Sequence, residues 1–309
     1  MEISAKLVKQ LRDQTGAGMM DCKRALVENN GDIEASAEYL RKKGLMDAAK
    51  KSSRTAADGL IAFELCDLKK CASIVELNSE TDFVAKNEKF QSLANNIAKV
   101  VLNGSDDVNE IMSSKYIDSS NTVKEEIDSL ISLIGENMTL RRAKKISVEN
   151  GVIAAYMHNA VTSNLGKIGV LVALESETDQ KDKLMEFGKK IAMHIAAANP
   201  SYLCEKCVPN DVIEKEKSII IAQAQEMGKP QEIANKMAES KVKKFFEDVV
   251  LLDQFFVMDN KLRISEVVEQ FSKEIGSPVK ISTFVKFVLG EGIEKTESNF
   301  AEEVMSFVK

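Results

Sequence analysis

Catalytic side chains are scarce in this sequence. Its 309 residues include no tryptophan, and the two histidines are His158 and His194. Histidine is the side chain most often used for acid–base chemistry near neutral pH, and it completes most nucleophilic triads. The shortage removes most histidine-dependent mechanisms, so it favours a protein that works by binding over one that works by covalent chemistry.

The chain also lacks a basic excess and a long apolar run. Its net charge is −6 with a pI near 5.3, whereas nucleic-acid binders usually have a basic face and a high pI. Apolar stretches such as residues 168–174 are too short to cross a bilayer, and the N-terminus has no targeting pattern. Five cysteines at irregular positions are not typical of a disulfide framework. We therefore expect a cytoplasmic protein with no direct membrane or nucleic-acid partner.

What is present is an ordinary globular composition, with 44% hydrophobic and 29% charged residues. Residues 1–45 predict three short helices. Ser4 and Asp32 are suited to cap the first and the third, and Gly16 and Gly44 are suited to end them. Residues 46–56, which are rich in alanine and lysine, extend this module as a helical linker.

A hairpin followed by a helix is predicted twice. The first unit has strands at about 60–65 and 71–77 and a helix at about 88–102. The second begins at Gly151, turns at about 164–167 and leads to a helix at about 182–198. The tetrapeptide Ser-Glu-Thr-Asp follows both hairpins. This recurrence predicts an internal duplication, and hence two related α+β subdomains.

An insertion separates the second unit from the end of the chain. All four prolines lie at or after position 200, and helices at about 211–227 and 231–245 are joined by a Gly-Lys-Pro turn. Each helix has an apolar seam, so the pair predicts a helical hairpin that packs on itself or forms a dimer. Strand-like runs at 249–252 and 280–289 and a helix near 299–308 complete the chain.

Two cysteine pairs have ordinary explanations. Cys204 and Cys207 have the spacing of metal ligands, but no second pair lies nearby, so we expect two ordinary thiols and no metal. Cys66 and Cys71 flank the first hairpin and are interpreted as strand residues rather than a redox pair.

The sequence also lacks a convincing phosphate site. Gly16-Ala17-Gly18 follows no strand and lacks the Lys-Ser/Thr of a phosphate-binding loop, so it is interpreted as a turn. The basic runs at 141–145 and 241–244 are interpreted as solvated faces, because the chain is acidic overall.

The most informative loop is Thr81-Asp82-Phe83-Val84-Ala85-Lys86, between a strand and a helix. Taken alone, Phe83 is by default a core residue that covers the strand. The alternative is an exposed aromatic anchor beside an acidic residue, which is a common binding hot spot. His158, near the end of a hairpin strand, is by default a hydrogen-bonded structural histidine.

The chain resembles bacterial elongation factor Ts, and the resemblance extends over nearly its whole length. Six segments carry the resemblance in the same order: 15–23, 81–87, 134–137, 191–197, 228–230 and 290–294. The resemblance implies an α+β fold with these parts: a ubiquitin-associated-like three-helix module (1–54), a core N-subdomain (55–145), a core C-subdomain (146–198 and 248–292), an inserted helical-hairpin (coiled-coil) dimerisation domain (199–247) and a C-terminal helical module (293–309).

The resemblance also implies a function. The family releases GDP from elongation factor Tu so that GTP can rebind, and it acts by protein–protein binding without a cofactor. One stretch corresponds to the element that enters the partner and disturbs its Mg²⁺ and phosphate site: Thr81, Asp82, Phe83 and Val84. Three further positions correspond to other contacts with the partner: Ile134, Gly135 and His158.

Three other functions compete with this one. An adaptor that only tethers a partner would explain residues 1–45, but it would give the loop at Phe83 no role. An enzyme that uses Glu80 and Asp82 would show a turnover that depends on both carboxylates. An RNA-binding protein would show a steep salt dependence, which the acidic composition does not favour.

Overall fold

The computed structural model describes residues 3–294, and the helix expected near 299–308 lies outside the described residues. Within them the chain is a mixed α+β structure, with a six-stranded antiparallel sheet and a separate two-stranded one. No helix in this part of the chain combines the length and the apolarity needed to cross a membrane.

The N-terminal helices are α1 (Ala5–Thr15), α2 (Met19–Glu28) and α3 (Ile33–Lys51). Ser4 and Asp32 cap α1 and α3 by accepting backbone N–H bonds, as predicted. The predicted stop at Gly44 is wrong, because α3 continues to Lys51. A Cβ at position 44 would lie 3.1 Å from the Ser132 hydroxyl, so this glycine permits a close approach to a core helix.

The strands are, in chain order, β1 (Asp58–Leu65), β2 (Cys71–Ser79), β3 (Met138–Ser147), β4 (Gly151–Thr162), β5 (Leu165–Glu175), β6 (Phe255–Phe256), β7 (Asp259–Arg263) and β8 (Lys280–Val288). β1, β2 and β3 form one half of the large sheet, and β4, β5 and β8 form the other. A short pairing of β1 with β5, Ile61 with Gly166 and Ala62 with Leu165, joins the halves.

The two halves share local geometry as well as strand order. Gly59 and Gly151 lie at the start of β1 and β4 with φ of 122° and 152°. A Cβ at either position would come within 2.2 Å of a carbonyl oxygen on the neighbouring strand, so both places require glycine. The central strand of each half also shifts register against the third strand, at residues 76–77 and at residues 173–174.

Helices cover the sheet, and those of the core are α4 (Asp82–Ala85), α5 (Glu88–Asn103), α6 (Val108–Ser113), α7 (Val123–Ile134), α8 (Lys181–Ala198) and α11 (Ile264–Ile275). The apolar side of α5 recurs every three to four residues and packs with α7 on the first half. α8 and α11 pack on the second half. A third cluster, from the opposite faces of strands of both halves, packs the halves together. Each half is therefore buried on both faces.

The inserted helices are α9 (Asn210–Glu226) and α10 (Gln231–Val249), with Gly228 in the turn between them. They bury a small core of their own around Ile220, Ala238 and Val242. The strand-like run at 249–252 is not a strand: residues 251–253 form a turn of 3₁₀-helix, while Val250 makes a single bridge with Tyr202.

Candidate functional site

Phe83 is exposed on the surface. β2 ends at Ser79, and the chain turns directly into the single-turn helix α4. Val84 and Ala85 are buried beneath this turn, whereas 74% of the Phe83 side chain is open to solvent. The default interpretation of Phe83 as a core residue is therefore wrong. The resemblance placed Val84 with Phe83 in the element that enters the partner, but Val84 is buried and anchors the turn. Phe83 is the side chain that the turn presents.

Two carboxylates fix this turn to the segment that follows α7. Glu136 accepts hydrogen bonds from the Thr81 backbone N–H, at 3.0 Å, and from its hydroxyl, at 2.8 Å. In the opposite direction, Glu80 accepts from the Asn137 backbone N–H. These reciprocal bonds hold the turn from both sides, so Phe83 is presented on a rigid base rather than on a free loop.

Charged side chains surround the exposed ring. Lys86 Nζ lies 5.3 Å from the centre of the Phe83 ring and 3.8 Å from an Asp82 carboxylate oxygen. Both charges are largely exposed, so the ion pair contributes little stability. The arrangement gives an apolar centre with a polar rim, which is the composition of a small binding hot spot.

Ile134 and Gly135 lie close to this turn. They end α7, where Gly135 has φ of 92° and donates its N–H to Ile131 O. Pairing of Ser79 with Met138 brings the end of α7 to the same end of the sheet as α4. Ile134 is partly buried, while a Cβ at Gly135 would meet no atom within 4 Å.

His158 does not lie with these residues. It is an exposed residue of β4, and the sheet order places β1 and β5 between β4 and β2. Its Nδ1 is 3.1 Å from the Tyr156 hydroxyl, so the default expectation of a hydrogen-bonded histidine is met. Two strands therefore separate His158 from the strand that leads to Phe83.

The CxxC segment differs from its prediction. Cys204 and Cys207 are joined as a disulfide, so their interpretation as two ordinary thiols is wrong. A 3₁₀ turn at 205–207 brings their Cα atoms to 5.2 Å, within the range that a disulfide spans. Among the residues that the structure describes, no group of three or more side chains suited to metal ligation comes together.

Comparison with known proteins decides the family. A family model described as "Elongation factor TS" matches residues 80–291, from the turn at Phe83 to the end of the sheet. The chain belongs to the elongation factor Ts family. Among its relatives, Elongation factor Ts of Rhodospirillum centenum is 52% identical over 305 residues, covering 99% of this chain and 98% of the relative. That of Bartonella henselae is 50% identical over 309 residues and covers 100% of both chains.

One feature of this elongation factor Ts chain escaped the sequence analysis. Glu76 is fully buried in β2, and it pairs with Arg141 at 3.2 Å and with Arg142 on β3 at 2.5 Å. It also accepts a hydrogen bond of 2.8 Å from the Gly290 N–H, just after β8. The interpretation of the basic run at 141–145 as a solvated face is wrong for its two arginines. The signal available in the sequence was a glutamate, Glu76, inside the apolar run 71–77.

Proposed function

We propose that this protein is a non-catalytic guanine-nucleotide exchange factor. It binds GDP-bound elongation factor Tu, disturbs the Mg²⁺ and phosphate site, and releases GDP so that GTP can rebind during translation elongation. Membership of the elongation factor Ts family supports the proposal. The observation that carries the mechanism is the exposed Phe83 ring on its braced turn. The role places the protein in the cytoplasm.

The mechanism needs only binding energy. In the partner, Mg²⁺ bridges phosphate oxygens and protein ligands, so displacing those ligands weakens metal and nucleotide together. Burying one phenylalanine side chain contributes about 1.5–3 kcal/mol. If the factor weakens GDP binding to Tu, GDP weakens binding of the factor by the same amount. The factor must therefore bind nucleotide-free Tu more tightly than GDP-bound Tu. A rigid turn suits this task because less of the binding energy is lost in ordering it.

Other surfaces extend the proposed contact. We assign Thr81 and Asp82 to the edge of the Phe83 anchor, and Ile134, Gly135 and His158 to further contacts, with His158 reaching a separate part of Tu. In the three-helix, ubiquitin-associated-like module of residues 1–54, the exposed apolar side chains of α2 support an additional grip: Met19, Met20 and Val27.

The helical hairpin of residues 199–247 is proposed as a dimerisation domain. Ile219, Met227 and Ile233 remain exposed on α9, α10 and the turn between them, although the hairpin buries its own small core. The remaining proposed borders are a core N-subdomain at 55–145, a core C-subdomain at 146–198 and 248–292, and a C-terminal module at 293–309.

Release of a fluorescent GDP analogue from elongation factor Tu tests the proposal. The parent protein should accelerate release strongly, and Phe83→Ala should slow the factor-dependent rate roughly ten- to a hundredfold, the equivalent of the burial energy. Leu68→Ala is the matched control. Leu68 is 78% exposed in the β1–β2 turn, at the other end of β2, so its loss should leave exchange unchanged.

Each alternative has its own outcome. Equal acceleration by the parent and Phe83→Ala would keep the exchange function but move the mechanism to other contacts. Binding of Tu without faster GDP release would favour a tethering adaptor that acts through the N-terminal helices. No binding at all would reject the proposal.

A further inference from the structure

Cys66 and Cys71 face each other at the end of the first hairpin. The register that pairs Leu65 with Ala72 makes these two cysteines the next opposed pair, and the Cys66 N–H donates to Cys71 O at 2.9 Å. Opposed residues of antiparallel strands have Cα atoms about 4.5–5.5 Å apart. A disulfide spans about 4.4–6.8 Å. Both thiols are free. The strand register therefore places their Cα atoms within the range that a disulfide spans.

The turn favours a thiolate at one of the two positions. Cys71 N–H donates to Cys66 Sγ at 3.1 Å. Burial alone would raise the pKa of Cys66, but hydrogen bonds from the Cys71 thiol and from backbone N–H groups of the turn bring it below its ordinary value. For Cys71, burial and then the hydrogen bond with Cys66 raise the pKa to about 11. The pair is therefore asymmetric, with Cys66 the better nucleophile.

Reagents can reach this pair more readily than the other cysteines. Residues 67–70 of the turn are exposed, and Cys66 and Cys71 are partly exposed. Cys22 is buried in the N-terminal module, while Cys204 and Cys207 are already joined. Neither partly exposed thiol has a role in the proposed nucleotide-exchange site, which lies at the other end of β2.

We propose that Cys66 and Cys71 are a dithiol site that small-molecule disulfides oxidise to an intramolecular disulfide. The Cys66 thiolate attacks a disulfide RS–SR, forms a mixed disulfide Cys66–S–SR and releases RS⁻. Cys71 then gives its proton to solvent, and its sulfur attacks Cys66 Sγ and displaces the second RS⁻. Two electrons pass from the cysteine pair to RS–SR, which becomes two thiolates.

The new bond would close a turn that holds the two halves of the core together. Lys69 O accepts the Ile153 N–H at 2.7 Å, and Lys70 O accepts the Val148 N–H at 2.8 Å. Both donors belong to the β3–β4 region. A disulfide at the base of the turn restrains local opening there, so these two amides should exchange hydrogen more slowly in the oxidised protein.

Incubation of the full chain with bis(2-hydroxyethyl) disulfide, followed by peptide mass spectrometry, tests the site. The parent should yield a Cys66–Cys71 disulfide. Cys71→Ser should instead accumulate the mixed disulfide on Cys66. Cys66→Ser should form no intramolecular disulfide at this site and should carry at most a mixed disulfide on Cys71. Cys22→Ser is the control and should behave as the parent does.

Two results would overturn the proposal: mixed disulfides without the intramolecular bond in the parent, or no mixed disulfide on Cys66 in Cys71→Ser. If either variant folds poorly, limited alkylation of the parent with iodoacetamide gives the same answer. Cys66 should be labelled well before Cys71, and the reverse order would reject the assignment of the nucleophile.

Discussion

The two halves of the core have the same framework and different surfaces. Each has a hairpin that begins at a strained glycine, a register shift in its central strand, and the tetrapeptide Ser-Glu-Thr-Asp after that strand. In the second half, α8 starts two residues after Asp179. In the first half, α5 starts six residues after Asp82, and the extra residues form α4 with Phe83. The proposed function therefore depends on a short insertion in one copy of a repeated framework.

The interiors differ as well. The register shift follows Glu76 in the first half and Ala173 in the second, so a buried carboxylate on one side corresponds to a methyl group on the other. Two arginines of β3 and the Gly290 N–H satisfy the carboxylate. Hydrogen bonds and ion pairs of Glu76 thus link the first half to the segment after β8. At the equivalent place in the second half, Ala173 contributes only apolar packing.

The largest expected effect is on the shared framework. Gly151→Ala should lower the free energy of unfolding by about 3 kcal/mol or more, since the new Cβ meets the Leu174 carbonyl oxygen at 1.8 Å and φ is 152°. Gly59→Ala should behave in the same way. Urea unfolding measures both, with Phe83→Ala as a control that should cost little stability. A loss for only one glycine would break the equivalence of the halves.

The sequence predicted this framework well. Alternating apolar runs and the repeated tetrapeptide identified both hairpins and the helices after them. β3 was missed because its basic side chains resemble a solvated face until the buried Glu76 is placed opposite them. α11 was missed, and residues 249–252 were wrongly predicted as a strand, since short apolar runs do not separate helix from strand.

The candidate site was predicted less evenly. Its loop was identified from sequence, but the exposure of Phe83 was not, because it depends on Val84 and Ala85 filling the core beneath. The Glu80 and Glu136 contacts join segments more than fifty residues apart, and no local pattern encodes them. The position of His158, separated from β2 by the two strands β1 and β5, likewise follows from sheet order.

A second prediction concerns the buried carboxylate of Glu76, which distinguishes the interior of the first half from that of the second. Glu76→Ala gives the first half the residue type that the second half has at this place. It should cost about 2–4 kcal/mol, because two half-buried arginines lose their partner. Arg142→Ala should cost less in this background than in the parent, as a double-mutant cycle in urea measures. Fully additive losses would show that the buried pair is not the source of the effect.

A third prediction concerns the brace under the Phe83 turn. Glu136→Ala removes both bonds to Thr81, so the turn gains freedom and GDP exchange should fall severalfold, with about 1 kcal/mol or less lost in stability. Thr178→Ala is the control from the second half, where the Thr178 hydroxyl accepts only a local bond from Gln180 N–H. Equal losses of exchange in the two variants would mean that bracing does not matter.

The smallest predicted effect separates the halves by pH. The buried side of α8 carries His194, whereas the buried residues of α5 are all apolar. The His194 Nδ1 accepts the Val257 N–H, and its Nε2 lies 3.0 Å from the Gln254 amide oxygen. Burial lowers the pKa of His194 below its ordinary value of 6.5, despite the opposing hydrogen bond to Gln254. The unfolded chain therefore takes up this proton first as the pH falls. Stability should decline below about pH 6.5, and hydrogen exchange should show the second half opening more readily than the first. In His194→Gln the loss of stability that comes from protonation of His194 should disappear. If the stability of that variant depends on pH as the parent's does, the loss of stability at low pH comes from other groups.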